Sequence, residues 1–113
     1  IINGAKQCSA MWLPRLNEPT PLAAFIEGLR ADELVYCGLE PELKHESKPE
    51  CMEETGDSDL TWLVGPEGGW SKDELKLIES SNISTVRFGD LTLTTRVASI
   101  AGMAALLTRL NRW

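Results

Sequence analysis

The chain has 113 residues, with 17 acidic against 11 basic side chains and a formal net charge of −6. That length allows one folding unit with a real core and a small stability margin. The acidic balance argues against a general nucleic-acid binder, which needs clustered Lys and Arg.

No apolar run approaches the roughly 18 to 20 residues of a membrane-spanning helix, so no membrane association is expected. Three cysteines (Cys8, Cys37, Cys51) with no C-x-x-C pair, beside the single His45, favour neither a disulfide framework nor a metal site. A cytoplasmic location is the expectation. The sequence opens on Ile1 with no charged-then-apolar leader, which points to a fragment or a processed chain.

In chain order, Gly4 to Met11 has weak helical character, and Pro14 to Pro21 is a turn-rich connector with Pro14, Asn17, Pro19 and Pro21. Thr20-Pro21 marks a helix start. Leu22, Phe25, Ile26 and Leu29, at i, i+3, i+4 and i+7, predict an amphipathic helix ending near Arg30, with Phe25 in the core. Leu34-Val35-Tyr36-Cys37 before Gly38 is a continuous apolar run, the pattern of a strand covered on both faces. Glu40 to Asp59 concentrates acid against only Lys44 and Lys48, and reads as a solvated linker that includes His45, or as an acidic binding surface.

The most informative stretch is Leu60 to Glu74. The apolar run Leu60 to Val64 passes into Gly65-Pro66-Glu67-Gly68-Gly69, and Ser71 with Glu74 forms a capping-box pattern that starts a helix at Lys72 and carries it to Ser81. Such glycines serve either a plain strand-to-helix turn or the close approach of a ligand. Ser84 to Phe88 then predicts a third strand closed by Gly89. From about Val97 to Asn111 a helix apolar on almost every face requires close neighbours. Alternating strands and helices give an α/β class, a parallel sheet flanked by helices. Three strands leave edges and apolar helix surface to be covered by other strands or by another subunit.

Several of these residues recur together in a known family: Gln7-Cys8 with Pro14, Val64 to Ser71 with Glu74, and Phe88-Gly89 with Leu93 ahead of an alanine-rich helix. In that order and spacing the chain resembles the SPOUT-type 16S ribosomal RNA (uracil-N3) methyltransferases. The resemblance runs over essentially all of residues 1–113, a single domain, and corresponds to the C-terminal half to two-thirds of a family member. The family's N-terminal RNA-binding barrel and the first strands of its methyltransferase domain are not represented.

The resemblance implies an α/β knot, S-adenosyl-L-methionine (SAM) as cofactor, and methyl transfer to N3 of a uridine in 16S ribosomal RNA or the small ribosomal subunit. It also implies a homodimer and no metal. Its cofactor site maps onto Leu63, Gly65, Pro66, Glu67, Gly68, Phe88, Gly89, Leu91 and Leu93, with Leu63, Phe88, Leu91 and Leu93 as apolar walls or, equally, core. The placement agrees with the rule that α/β sheets bind ligands beyond the C-terminal ends of parallel strands.

The sequence departs from the family in the last loop. The usual Leu-Arg-x-Glu-Thr-Ala pattern meets Thr94, Arg96 and Val97 at its Arg, Glu and Thr positions, which removes one cation and inverts one charge. Ala10 stands where Arg is frequent. Arg96 is the candidate catalytic cation, or else a surface charge near a helix start, where the macrodipole disfavours it. Glu67 is a general base or a loop-backbone partner, and Trp70 a stacking platform or a packing residue. Cys8 reads as a small apolar residue with nothing nearby to lower its pKa. Two other functions stay open: a non-catalytic SPOUT-like module with a degenerate active-site loop, and a nucleotide-binding domain holding phosphate at the Ser71 helix end.

Overall fold

The computed structural model describes residues 2–40, 58–90 and 92–113. His45, Cys51, Leu91 and nearly all of the acidic linker fall outside them. Among the described residues the elements run α1 (Ile2–Gln7), α2 (Leu22–Glu27), β1 (Leu34–Gly38), β2 (Leu60–Leu63), α3 (Lys72–Glu79), β3 (Ser84–Val86) and α4 (Thr95–Arg109). The three strands form one parallel sheet in the order β2-β1-β3.

β1 is central because three consecutive residues, Val35, Tyr36 and Cys37, are buried, so both faces are covered. It pairs Tyr36 with Trp62 and Cys37 with Leu63 on one side, and Cys37 with Thr85 on the other. The alternation of β1 side chains separates two packed layers. Val35 and Cys37 pack with Ile78 of α3 and Ile83, bordered by Leu22, Ile26 and Leu29 of the α2 segment and by Leu63 and Trp70. On the opposite face Trp62, in register with Tyr36, meets α4 at Ala98 and Gly102. Glycine at 102 is a packing requirement, because a Cβ there would overlap the Trp62 indole.

Local chemistry sets the helix ends. The α3 capping box is present: the Ser71 hydroxyl accepts from Glu74 N–H at 3.2 Å, and the Glu74 carboxylate accepts from Ser71 N–H at 2.7 Å. α4 begins at Thr95, earlier than expected, because Thr94 Oγ1 caps Val97 N–H at 3.4 Å. It ends with Asn111 in the left-handed region, where Asn111 N–H donates to the Thr108 carbonyl and Arg112 N–H to the Leu107 carbonyl, the Schellman arrangement. α2 stops at Glu27 with Gly28 as its cap, short of Arg30, and β3 stops at Val86, short of Phe88.

Two expectations need correction. Phe25 is half-buried and stands outside the core cluster, since Leu22, Ile26 and Leu29 form the inward stripe of that segment. α4 buries only Gly102 and Leu106, while Val97 and Ile100 are 47% and 71% exposed, because the three described strands cover a single stripe of the helix. The N-terminal segment also stands off the body: residues 2–4 and 6–21 are all exposed, Met11, Trp12 and Leu16 among them.

Candidate functional site

Parallel strands end together, so the loops after β1 and β2 lie side by side, and the β3 exit brings Phe88 to the same edge. A cavity of about 300 Å³ opens there. Gly38, Leu39 and Glu40 line it from the β1 exit; Val64, Gly65, Pro66 and Glu67 from the β2 exit. Trp62, Trp70, Phe88 and Leu93 add apolar wall, and Thr92, Thr94, Thr95 and Ala98 close the cavity from the α4 side.

The loops are tied by side chains that bond to main-chain carbonyls. Trp70 Nε1 donates to the Gly38 carbonyl at 3.0 Å, which locks the glycine loop against the β1 exit. Thr95 Oγ1 donates to the Gly65 carbonyl at 3.3 Å, joining the start of α4 to the same loop. Trp62 Nε1 donates to the Ala98 carbonyl at 3.1 Å, and the Trp62 ring meets Phe88 edge-to-face with centroids 5.6 Å apart at 80°. Gly69 closes the turn: its φ of +76° suits glycine, its N–H donates to the Pro66 carbonyl at 2.9 Å, and the Glu40 carboxylate lies directly over it. Apart from the Gly69–Pro66 turn, these contacts join segments far apart in sequence, so the cavity walls are held by the fold rather than by one loop.

Among the described residues no Lys, Arg or His lines the cavity, whereas Glu40 and Glu67 do. Glu40 is half-buried and Glu67 exposed at the rim. Cys37, at the base of the β1 exit, has no exposed surface, and burial pushes its thiol up to about 12. It is therefore neutral at physiological pH and supplies no nucleophile.

Of the residues singled out from sequence, Gly65, Pro66, Glu67, Phe88 and Leu93 come together on the cavity. Leu63 packs against the core layer beside α2 and α3. Gly68 and Gly89 are exposed and outside the lining, and Gly89 has a φ of +66°. Leu91 is outside the described residues. Arg96 is exposed on the first turn of α4, outside the lining although Thr94, Thr95 and Ala98 around it are part of it. Trp70 both packs against the core and walls the cavity.

Sequence reasoning missed Gly38, Leu39, Glu40, Trp62, Val64, the threonines and Ala98. One signal was within reach: in a parallel sheet the residues following every strand share one edge, so Gly38 to Glu40 belonged with Gly65 to Glu67. Glu40, which the sequence groups with a solvated linker or an acidic binding surface, lines the cavity in the structure.

Comparisons with known proteins agree with this architecture. Residues 1–107 match the model of the RNA methyltransferase domain family. Ribosomal RNA small subunit methyltransferase E of Rickettsia conorii is 26% identical over 105 residues, covering 92% of this chain and 42% of that protein. Among solved structures, Lpg2936 from Legionella pneumophila, described as a methyltransferase and bound to SAM, superposes with a TM-score of 0.77 at 23% identity over 96% of this chain and 43% of that one. Ribosomal RNA small subunit methyltransferase E from Neisseria gonorrhoeae bound to S-adenosyl methionine gives 0.76 at 19% identity, over 95% of this chain and 44% of that one. The chain thus spans less than half the length of these relatives. The match over residues 1–107 establishes that the chain belongs to the RNA methyltransferase domain family.

Proposed function

We propose that this chain is the cofactor-binding and catalytic part of a SAM-dependent methyltransferase acting on ribosomal RNA, with N3 of a uridine in the small-subunit RNA as the acceptor. The observation that carries the proposal is the cavity at the C-terminal edge of the sheet: aromatic and aliphatic walls, exposed loop backbone, two carboxylates and, among the described residues, no lining cation.

The cavity fits this cofactor by size and by chemistry. Its volume of about 300 Å³ lies at the lower end of small-molecule sites. Trp62, Phe88, Leu39 and Leu93 offer apolar surface to a purine, and the glycine loop offers main-chain groups to ring nitrogens and ribose hydroxyls. Glu40 and Glu67 suit the positive sulfonium and ammonium groups. The same carboxylates repel a polyphosphate, and the Ser71 helix end is already occupied by its capping box with Asp73 and Glu74 in the first turn. These features favour a sulfonium cofactor over a nucleotide phosphate.

When bound, SAM supplies an electrophilic methyl group. The residues of this chain act by holding the cofactor in one orientation inside a walled pocket, so that the acceptor nitrogen attacks along a fixed line. Uracil N3 loses its proton to solvent water before the methyl is transferred, and a nearby cation or donor stabilises the resulting charge. We assign that task to Arg96, which is solvent-exposed beside the cavity mouth and makes no ion pair among the described residues. We keep Leu63, Gly68, Gly89 and Leu91 in the proposed cofactor region on the resemblance, with Leu63 packed behind the lining and Gly68 and Gly89 exposed beside it. We further infer a knotted crossing after Phe88-Gly89, a homodimer that covers Val97 and Ile100 of α4, and a cytoplasmic location. Among the described residues no helix is long and apolar enough to span a membrane.

The test is transfer of labelled methyl from SAM to small-subunit ribosomal RNA by the protein, with the product nucleoside identified by mass spectrometry. N3-methyluridine is expected; a methyl group on another atom would contradict the acceptor assignment. One observation favours the second reading, a non-catalytic module: Thr94, at a position where the family carries Arg, is used as the helix cap. Cofactor binding without transfer to any RNA would select that reading.

A further inference from the structure

We propose that Glu40 is the specificity residue by which the pocket distinguishes a cationic cofactor from the neutral product of methyl transfer. This inference rests on the reading of the cavity as a SAM site. Loss of the methyl group converts a sulfonium to a thioether, so cofactor and product differ by one methyl and one positive charge. A pocket with apolar walls and main-chain donors binds the shared nucleoside part of both equally. A carboxylate reads the charge that distinguishes them.

Two carboxylates line the cavity, and their surroundings separate them. Glu67 is exposed at the rim, where water and salt screen it. Glu40 is half-buried, folded over Gly69 between the β1 exit and the glycine loop, and has no hydrogen-bond or ion-pair partner among the described residues. With no partner among the described residues, a carboxylate in a partly desolvated site keeps its capacity to attract a cation from the ligand. Gly69 is what admits it, since a Cβ at that position would collide with the carboxylate. The consequence for turnover is direct: cofactor is attracted by charge, and product, having lost that charge, is held less tightly and leaves.

The test is calorimetric titration of the full chain with three probes that share the adenosine and amino-acid parts: SAM, sinefungin, which carries an amine in place of the sulfonium, and S-adenosylhomocysteine, which is neutral there. The wild-type protein is expected to bind both cations on the order of tenfold more tightly than the neutral product, the effect of one opposite charge about 4 Å away when solvent keeps the effective dielectric at about 60, as at a half-exposed carboxylate. Glu40→Gln should weaken both cations about tenfold and leave S-adenosylhomocysteine within about threefold. Glu40→Asp should retain most of the preference, and Glu67→Gln should reduce it less and only at low salt. Equal weakening of all three ligands in Glu40→Gln would overturn the proposal, showing that the carboxylate bonds the shared nucleoside part. An unchanged ratio would overturn it as well. If none of the three binds to folded wild-type protein, the cofactor reading itself fails, and the inference with it.

Discussion

Gly102→Ala is a sharp test of how the cavity wall is built, because two physical effects of known size oppose each other there. In an isolated helix the change stabilises by about 0.8 to 1 kcal/mol, since alanine loses less backbone entropy than glycine. Here the added methyl would sit 2.6 Å from Trp62 Nε1 and closer still to the adjacent ring carbons, where normal contacts begin near roughly 3.5 Å. Either α4 or the indole must move by about 1 Å. Overpacking of that kind costs about 1 to 3 kcal/mol, and displacing the indole strains its 3.1 Å bond to the Ala98 carbonyl, worth about 1 kcal/mol. The net expectation is destabilisation of about 1 to 2 kcal/mol, a fall of roughly 4 to 15 °C in the melting temperature of a domain this size. Urea unfolding followed by tryptophan fluorescence provides the assay. Gly68→Ala is the control, because nothing lies within 4 Å of its Cβ position, and it should change stability by less than about 0.5 kcal/mol. A Gly102→Ala protein more stable than wild type by about 1 kcal/mol would show that helix propensity dominates and that Trp62 does not pack on Gly102 as described.

Three further outcomes follow from particular contacts. Ser71→Ala removes the hydroxyl that accepts from Glu74 N–H and should cost about 1 kcal/mol in urea unfolding, within the usual range for N-caps; no loss would mean that the capping box is not formed in solution. Burial holds the Cys37 thiol at about 12 against an ordinary 9.0, so the folded chain keeps a proton that the unfolded chain releases over that interval. Stability should therefore be full below about pH 9 and fall by up to about 1.4 kcal/mol per pH unit above it, a slope that Cys37→Ala should reduce; identical slopes in the two proteins would contradict the burial. Trp62→Phe deletes the bond to the Ala98 carbonyl and the ring area that walls the cavity, and should weaken SAM binding by at least tenfold in calorimetry.

Features written in local chemistry were legible from the residues alone. The β2 run, the glycine loop and the capped start of α3 sit within fifteen consecutive residues, and each signal acts over three or four positions. The same holds for β1, whose unbroken apolar run matches its central place in the sheet. Boundaries differ where a cap lies outside the apolar period: Thr94 starts α4 before the apolar stretch does, and Gly28 ends α2 before its hydrophobic period runs out. The site was only half legible, because its walls are non-local. Glu40 reads as one acid among many until the parallel register places it beside Gly69. Trp62 reads as a core aromatic until α4 crosses it with a glycine. Residues of α4 such as Ala98 carry no chemical signature, and they line the cavity solely because a carbonyl on that turn receives an indole N–H.

The central claim is that the cavity between the β1 and β2 exits and α4 holds SAM. The most direct measurement is calorimetric titration of wild-type protein and of Ala98→Phe, whose added ring would occupy the cavity from the α4 side while leaving the main-chain carbonyl in place. Saturable one-site binding by the wild type, lost or weakened at least a hundredfold in a variant that remains folded by circular dichroism, is the predicted result. Undiminished binding by the folded variant, or no binding by folded wild-type protein, would contradict the account.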